Sequence, residues 1–207
     1  MAKYILAAIE TGMIAARLKK ELCDWEEAEQ RYKNILDLAT QVLNKIDELD
    51  EDERKVAFNT VDEAIYNLAF VRYVDHDYAA VINMLTSSAQ DLQKSKILLG
   101  LCYCKVGFEM KDISLSKKAA EMLVTLEKQE DQLFQEGIDS MDDNLLAEAY
   151  FQLSNFYNYG IGVNKSTEKA YLTIERGLKN VKGDLRQMLQ QEKARYRKTL
   201  FGGWEYR

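Results

Sequence analysis

Apolar residues return along the chain at intervals of three and four, as in Ile5, Ile9, Met13 and Ala16 near its start, and the rhythm persists almost throughout. That spacing gathers apolar side chains into one stripe of a 3.6-residue helix. No stretch alternates with period two, so no strand is predicted. Polar runs cut the rhythm into pieces: Asp24, Asp47 to Glu53, Asp75-His76-Asp77, Lys111-Asp112 with Ser114, Asp139 to Asn144, Gly160 to Ser166, and Lys182-Gly183. These are the residue types that cap helices and allow turns, so about nine helices are expected, paired as antiparallel hairpins. The predicted class is all-α.

Successive hairpins raise the question of internal repeats. Asp24-Trp25-Glu26-Glu27-Ala28, followed by Tyr32 and Ile35, resembles the second helix of a tetratricopeptide unit, and Asp77-Tyr78-Ala79-Ala80-Val81 repeats its opening. Leu99-Gly100 with Tyr103 resembles the first-helix signature of such units, with a weaker copy at Leu68-Ala69. The fullest match runs from Ala147 through Ala149, Leu153, Tyr157, Gly160, Gly162, Val163 and Lys169 to Ala170, which resembles a Sel1-like repeat over residues 147–178. Ser154 departs from the family's glycine, Ser166 from its loop aspartate and Thr173 from its common aromatic.

The resemblance implies an α-solenoid of tetratricopeptide-like and Sel1-like hairpins. Residues 1–207 then form a single helical-repeat domain: tetratricopeptide-like hairpins over 1–130, a Sel1-like hairpin over 143–180, and a C-terminal helix with an aromatic cap over 182–207.

Composition narrows the class. A chain of 207 residues, 47% hydrophobic and 30% charged, can bury a core without disulfides or metal. It contains no proline, which suits long uninterrupted helices. The opening MAKYILAAIE meets Glu10 too soon for a signal peptide or a membrane span, and Cys23, Cys102 and Cys104 suit a reducing compartment, so a cytoplasmic location is expected. Charge is uneven: residues 165–207 carry 11 Lys and Arg against 5 Asp and Glu, whereas the whole chain is −6. An acidic body disfavours nucleic acid as the main partner.

Candidate chemistry is sparse. Gly160 to Ser166 is not a phosphate loop, because Asn164 precedes Lys165-Ser166 and a helix, not a strand, is expected before Gly160. As a bend it makes sense residue by residue. Gly160 can end one helix in the left-handed region, Gly162 turns the chain again, Val163 returns to the core, and Ser166 or Thr167 starts the next helix with Glu168 near its positive end.

The cluster from Asp139 lacks the acids and glycine of a calcium loop, since Met141, Asn144 and Tyr150 stand at its third, sixth and twelfth positions. One histidine, His76, and three cysteines form no zinc pattern. No catalytic residue, metal ligand or cofactor is nominated.

What remains is a surface. In a stacked array of hairpins the first helices line a concave groove. Aligning Leu68, Leu99 and Leu153 places Tyr66, Phe70, Tyr73, Lys94, Phe151, Asn155 and Asn158 on or near it, where aromatic area and side-chain amides suit a peptide backbone. Asn67 and Lys94 match two positions of the family's carboxylate clamp, but Met13, Arg17 and Leu98 replace its other polar residues, so an internal segment or a folded partner is preferred.

The expected function is a non-enzymatic protein-interaction scaffold. One alternative is nucleic-acid or anionic-surface binding through Lys179, Lys182, Arg186, Lys193, Arg195, Arg197 and Lys198, and another is a peptide-sensing bacterial regulator. Phe201, Trp204 and Tyr206 around Gly202-Gly203 are expected to cap the last hairpin or to join a second copy as a homodimer.

Overall fold

Aspartate decides where most of the helices begin. The computed structural model describes residues 2–87, 92–127, 141–183, 185–200 and 202–207. Of the ranges above, residues 128–130, Asp139 and Phe201 lie outside the described residues. Cα packing divides the chain into two compact units, Met1–Gln90 and Asp91–Arg207; the expected single domain carries no cut at this point.

The first unit holds α1 (Ala2–Glu21), α2 (Trp25–Leu43), α3 (Glu51–Val74) and α4 (Tyr78–Ser87), with a 3₁₀ turn at Ile46–Glu48. The second holds α5 (Gln93–Met110), α6 (Ile113–Leu123), a 3₁₀ turn at Val124–Glu127, α7 (Asp143–Tyr159), α8 (Thr167–Asn180) and α9 (Arg186–Lys193). The described residues are therefore all-α apart from one small sheet, as expected. The helices pair in chain order, α1 with α2, α3 with α4, α5 with α6 and α7 with α8, giving two hairpins in each unit.

A common turn joins the first three pairs. Cys23, His76 and Lys111 each adopt a left-handed φ, of 57°, 62° and 54°. The amide of the aspartate that follows, at 24, 77 or 112, donates back to the carbonyl five residues earlier. This closes the outgoing helix by satisfying an orphan carbonyl. The aspartate side chain then accepts an amide hydrogen bond from the incoming helix, at 3.4 Å from Glu27, 3.1 Å from Ala80 and 2.8 Å from Ser114. One residue pair thus ends one helix and begins the next. Asp50 and Asp142 cap α3 and α7 in the same way, Asp50 in a reciprocal capping box with Glu53.

Small residues sit where helices touch. In the first unit Ala16, Ala28, Ala39, Ala57 and Ala64 are buried among Ile9, Tyr32, Ile35 and Val42. In the second, a Cβ at Gly100 would lie 2.9 Å from Leu123, and one at Gly177 would lie 2.9 Å from both Tyr150 and Leu189. Helices that approach this closely gain dense side-chain contact on both sides.

The C-terminal segment corrects one expectation: after the helix Arg186–Lys193, a strand pair is present. Tyr196–Lys198 (β1) pairs antiparallel with Trp204–Tyr206 (β2), placing Tyr196 opposite Tyr206 and Lys198 opposite Trp204. Strands of three residues are too short to register as an alternating pattern. Their aromatic face packs on α8, where Trp204 stacks on Tyr171 at 3.8 Å and Tyr196 meets it edge-on at 5.9 Å. Within this chain the tail therefore folds back as a cap on the last helical hairpin.

Candidate functional site

Helical periodicity on α7 builds the wall of a groove. Gln152, Asn155, Phe156 and Tyr159 recur at three- and four-residue steps, so they share one face with Phe151 at its edge. Phe108 from α5, Ser116 from α6, and Arg195 and Tyr206 from the C-terminal segment contribute to the same lining. The groove encloses about 490 Å³. Phe108 is 85% exposed and Tyr159 63%, so two large aromatic surfaces face solvent at its margin.

Arg195 and Tyr206 belong to a polar cluster. Arg195 donates from Nε to the Arg207 carbonyl at 2.8 Å and from a terminal nitrogen to Glu192 at 3.3 Å, and its guanidinium lies 4.5 Å from the centre of the Tyr206 ring. Burial, then a hydrogen bond to Glu192, pushes the Tyr206 hydroxyl well above its ordinary range, so it stays a donor at neutral pH. The hairpin is positioned from beneath by Asn158, which donates to the Tyr196 hydroxyl at 2.7 Å.

The seven residues expected on a groove are thus placed differently from one another. Phe151 and Asn155 line the groove of the second unit. Asn158 is 5% exposed and anchors the hairpin instead, and Lys94 is buried. In the first unit Tyr66, at 2% exposed, and Phe70 are core residues. Phe70 packs against Trp25 at 6.0 Å beneath the Lys20 ammonium at 4.7 Å, while Tyr73, half-buried, packs against Tyr78 at 5.4 Å.

Phe108, Tyr159, Arg195 and Tyr206 were missing from the expected set. Phe108 and Tyr159 carry a sequence signal, since each is a large aromatic within three residues of a helix end. Arg195 and Tyr206 were singled out in the sequence for other roles, a basic surface and an aromatic cap, because their place in the groove depends on the hairpin.

The glycine loop is a bend in this structure. Gly160 has φ 70° and donates to the Phe156 carbonyl at 2.8 Å, Ile161 donates to the same carbonyl at 3.0 Å, and Ser166 donates to the Tyr157 carbonyl at 2.9 Å. Amides committed to helix carbonyls are not aimed at an anion. Gly162, φ 69°, lies where a Cβ would come within 2.8 Å of Ala120. Val163 is half-buried, and the Ser166 hydroxyl accepts the Lys169 amide at 3.2 Å to cap α8.

Other reactive groups are quiet. Burial raises the Cys102 thiol far above its ordinary range and takes Cys104 to about 12. His76 lies exposed in its turn, its Nδ1 2.8 Å from the Tyr78 hydroxyl. Among the described residues no group of three or more His, Cys, Asp or Glu is arranged to hold a metal, and no helix is long and apolar enough to cross a membrane.

Of the basic residues near the C-terminus, Lys193 pairs with Glu175 at 2.9 Å and Arg195 with Glu192. Lys179, Lys182, Arg186, Arg197 and Lys198 are exposed. Fold and groove together define an all-α protein of helical hairpins. No family model, curated protein or solved structure matches the chain.

Proposed function

We propose that the protein is a non-enzymatic interaction scaffold of the tetratricopeptide-like and Sel1-like kind, working in the cytoplasm and gripping an extended segment of a partner protein in the groove of its second unit. The observation that carries this reading is that Asn155 and Gln152 share one groove with the exposed rings of Phe108 and Tyr159. Aromatic walls offer area that a peptide side chain can bury, and amides one helical turn apart can pair with its backbone. The Sel1-like residues support the repeat assignment through their roles: Gly160, Gly162 and Ser166 shape the α7–α8 turn, and Ala147 and Ala170 are fully buried.

Affinity capture from cell extract tests the reading, comparing the intact protein with a doubly substituted Phe108→Ala, Asn155→Ala form. Both positions face the groove, so the variant should keep its helical circular dichroism. A partner retained by the intact chain and lost by the folded variant is the expected result. Equal recovery by both would overturn the groove. Binding through the exposed cations near the C-terminus is the competing reading; it predicts capture of nucleic acid and a steep loss with salt, insensitive to the double substitution.

A further inference from the structure

The first unit carries a second groove of different character. It runs between α1 and α3, encloses about 440 Å³, and has Met13, Ile14 and Val56 along its floor and walls. Ile14 is 61% exposed, and Leu18 on α1 and Leu22 just past its end follow at four-residue steps, both more than half exposed. Around this apolar strip the charges are mostly negative. Glu10 and Glu63 line the groove, and helical spacing puts Glu21 on the face of Glu10 and Ile14, and Asp52 on that of Val56 and Glu63, with Lys55 at the edge of that face, four residues before Asn59. Arg17 is the cation of the lining, and its guanidinium stands 3.9 Å from the Glu63 carboxylate. The unit as a whole has 10 Lys and Arg against 17 Asp and Glu, a net charge of −7.

We infer that the α1–α3 groove receives an amphipathic helix of a partner protein whose apolar stripe is flanked by lysine or arginine. The shape supports the helix: the first helices of two successive hairpins, with an apolar valley between them, can take a third helix, which buries its stripe on Ile14 and Val56. Charge selects its flanks. Acidic residues on both rims attract basic flanks and repel acidic ones, and much of that discrimination appears in the association rate. A nucleic acid is repelled by the same rims. The inference concerns the first unit and does not depend on the groove of the second.

Fluorescence anisotropy with the intact protein tests it. The probe is a labelled synthetic helix of about 18 residues, with leucine at helical spacing on one face and lysine on the other. One control replaces the leucines by serine, and another replaces the lysines by glutamate. The first probe should saturate one site, and each control should bind at least about tenfold more weakly.

Ile14→Asp separates the groove from general attraction. It adds a negative charge, so mere electrostatics would leave the affinity unchanged or raise it, whereas loss of the apolar wall should weaken it by at least about tenfold. Val56→Asp, on the facing wall, should do the same, and Phe108→Ala, in the other unit, should change nothing. Binding that persists in both aspartate variants, equal binding of the glutamate control, or no saturable binding of the leucine–lysine probe would each overturn the inference. A failure here would leave the capture experiment on the Phe108 and Asn155 groove unaffected, so the two readings fail separately.

Discussion

Three residues, Cys23, Cys102 and Cys104, show how far a side chain's chemistry depends on its place. Cys23 occupies the exposed left-handed position of the first turn, while Cys102 and Cys104 are buried in α5. Burial disfavours the charged thiolate, which raises Cys104 from an ordinary 9.0 to about 12. A thiol reagent at pH 8 should therefore modify one cysteine per native chain quickly and all three only after denaturation. Rapid modification of three in the native protein would contradict the packing of α5.

The sign of the pH dependence follows. A raised native pKa means the unfolded thiol ionises first, so this contribution to stability is intact below about 9 and is lost as the pH climbs through about 12. The same residues mark what could be read directly. Aspartates 24, 77 and 112 cap helices because a short carboxylate bonds to an amide within its own turn, a local interaction that a string of letters displays. The left-handed residues before them are Cys, His and Lys, and no composition rule points to those.

Elements show where local signals stop. Most helix boundaries were legible because apolar spacing and caps coincide, as at Asp142 before α7 and Ser166 before α8, but the break between α4 and α5 was not, since Leu92 opens α5 without a side-chain cap. The β-hairpin was not legible. Its strands are three residues long, and their stability comes from aromatic packing on α8, a contact between Trp204 and Tyr171 that lie 33 positions apart.

That contact makes the hairpin testable. Trp204→Ala removes a stacked ring from a partly buried site and should lower unfolding free energy by about 1–3 kcal/mol. Denaturant titration would measure it, and the near-ultraviolet aromatic signal should weaken while helical content is kept. A change within about 0.5 kcal/mol would show that the hairpin contributes little to the second unit.

The whole molecule is where the candidate surface diverged from its sequence reading. Aligning Leu68 with Leu153 put Tyr66 and Phe151 at equivalent positions, but Phe151 opens onto a groove and Tyr66 is buried. Positions aligned by sequence need not face identical neighbours, since what lies across from a side chain is set by other helices. In the first unit the open side of α3 is Val56, Thr60 and Glu63. In the second, part of the groove comes from the hairpin through Arg195 and Tyr206, whose arrival depends on the tail folding back. Each unit thus presents its own groove, aromatic and amide-bearing in one case, apolar and acid-rimmed in the other.

The central claim is that the second unit's groove binds an extended peptide, and selection from a peptide library on the immobilised intact protein tests it most directly. The account predicts enriched sequences whose affinity falls at least about tenfold for the Phe108→Ala, Asn155→Ala form and is unchanged by Ile14→Asp. Enriched peptides that bind the double variant as well as the intact chain, or no enrichment at all, would contradict it.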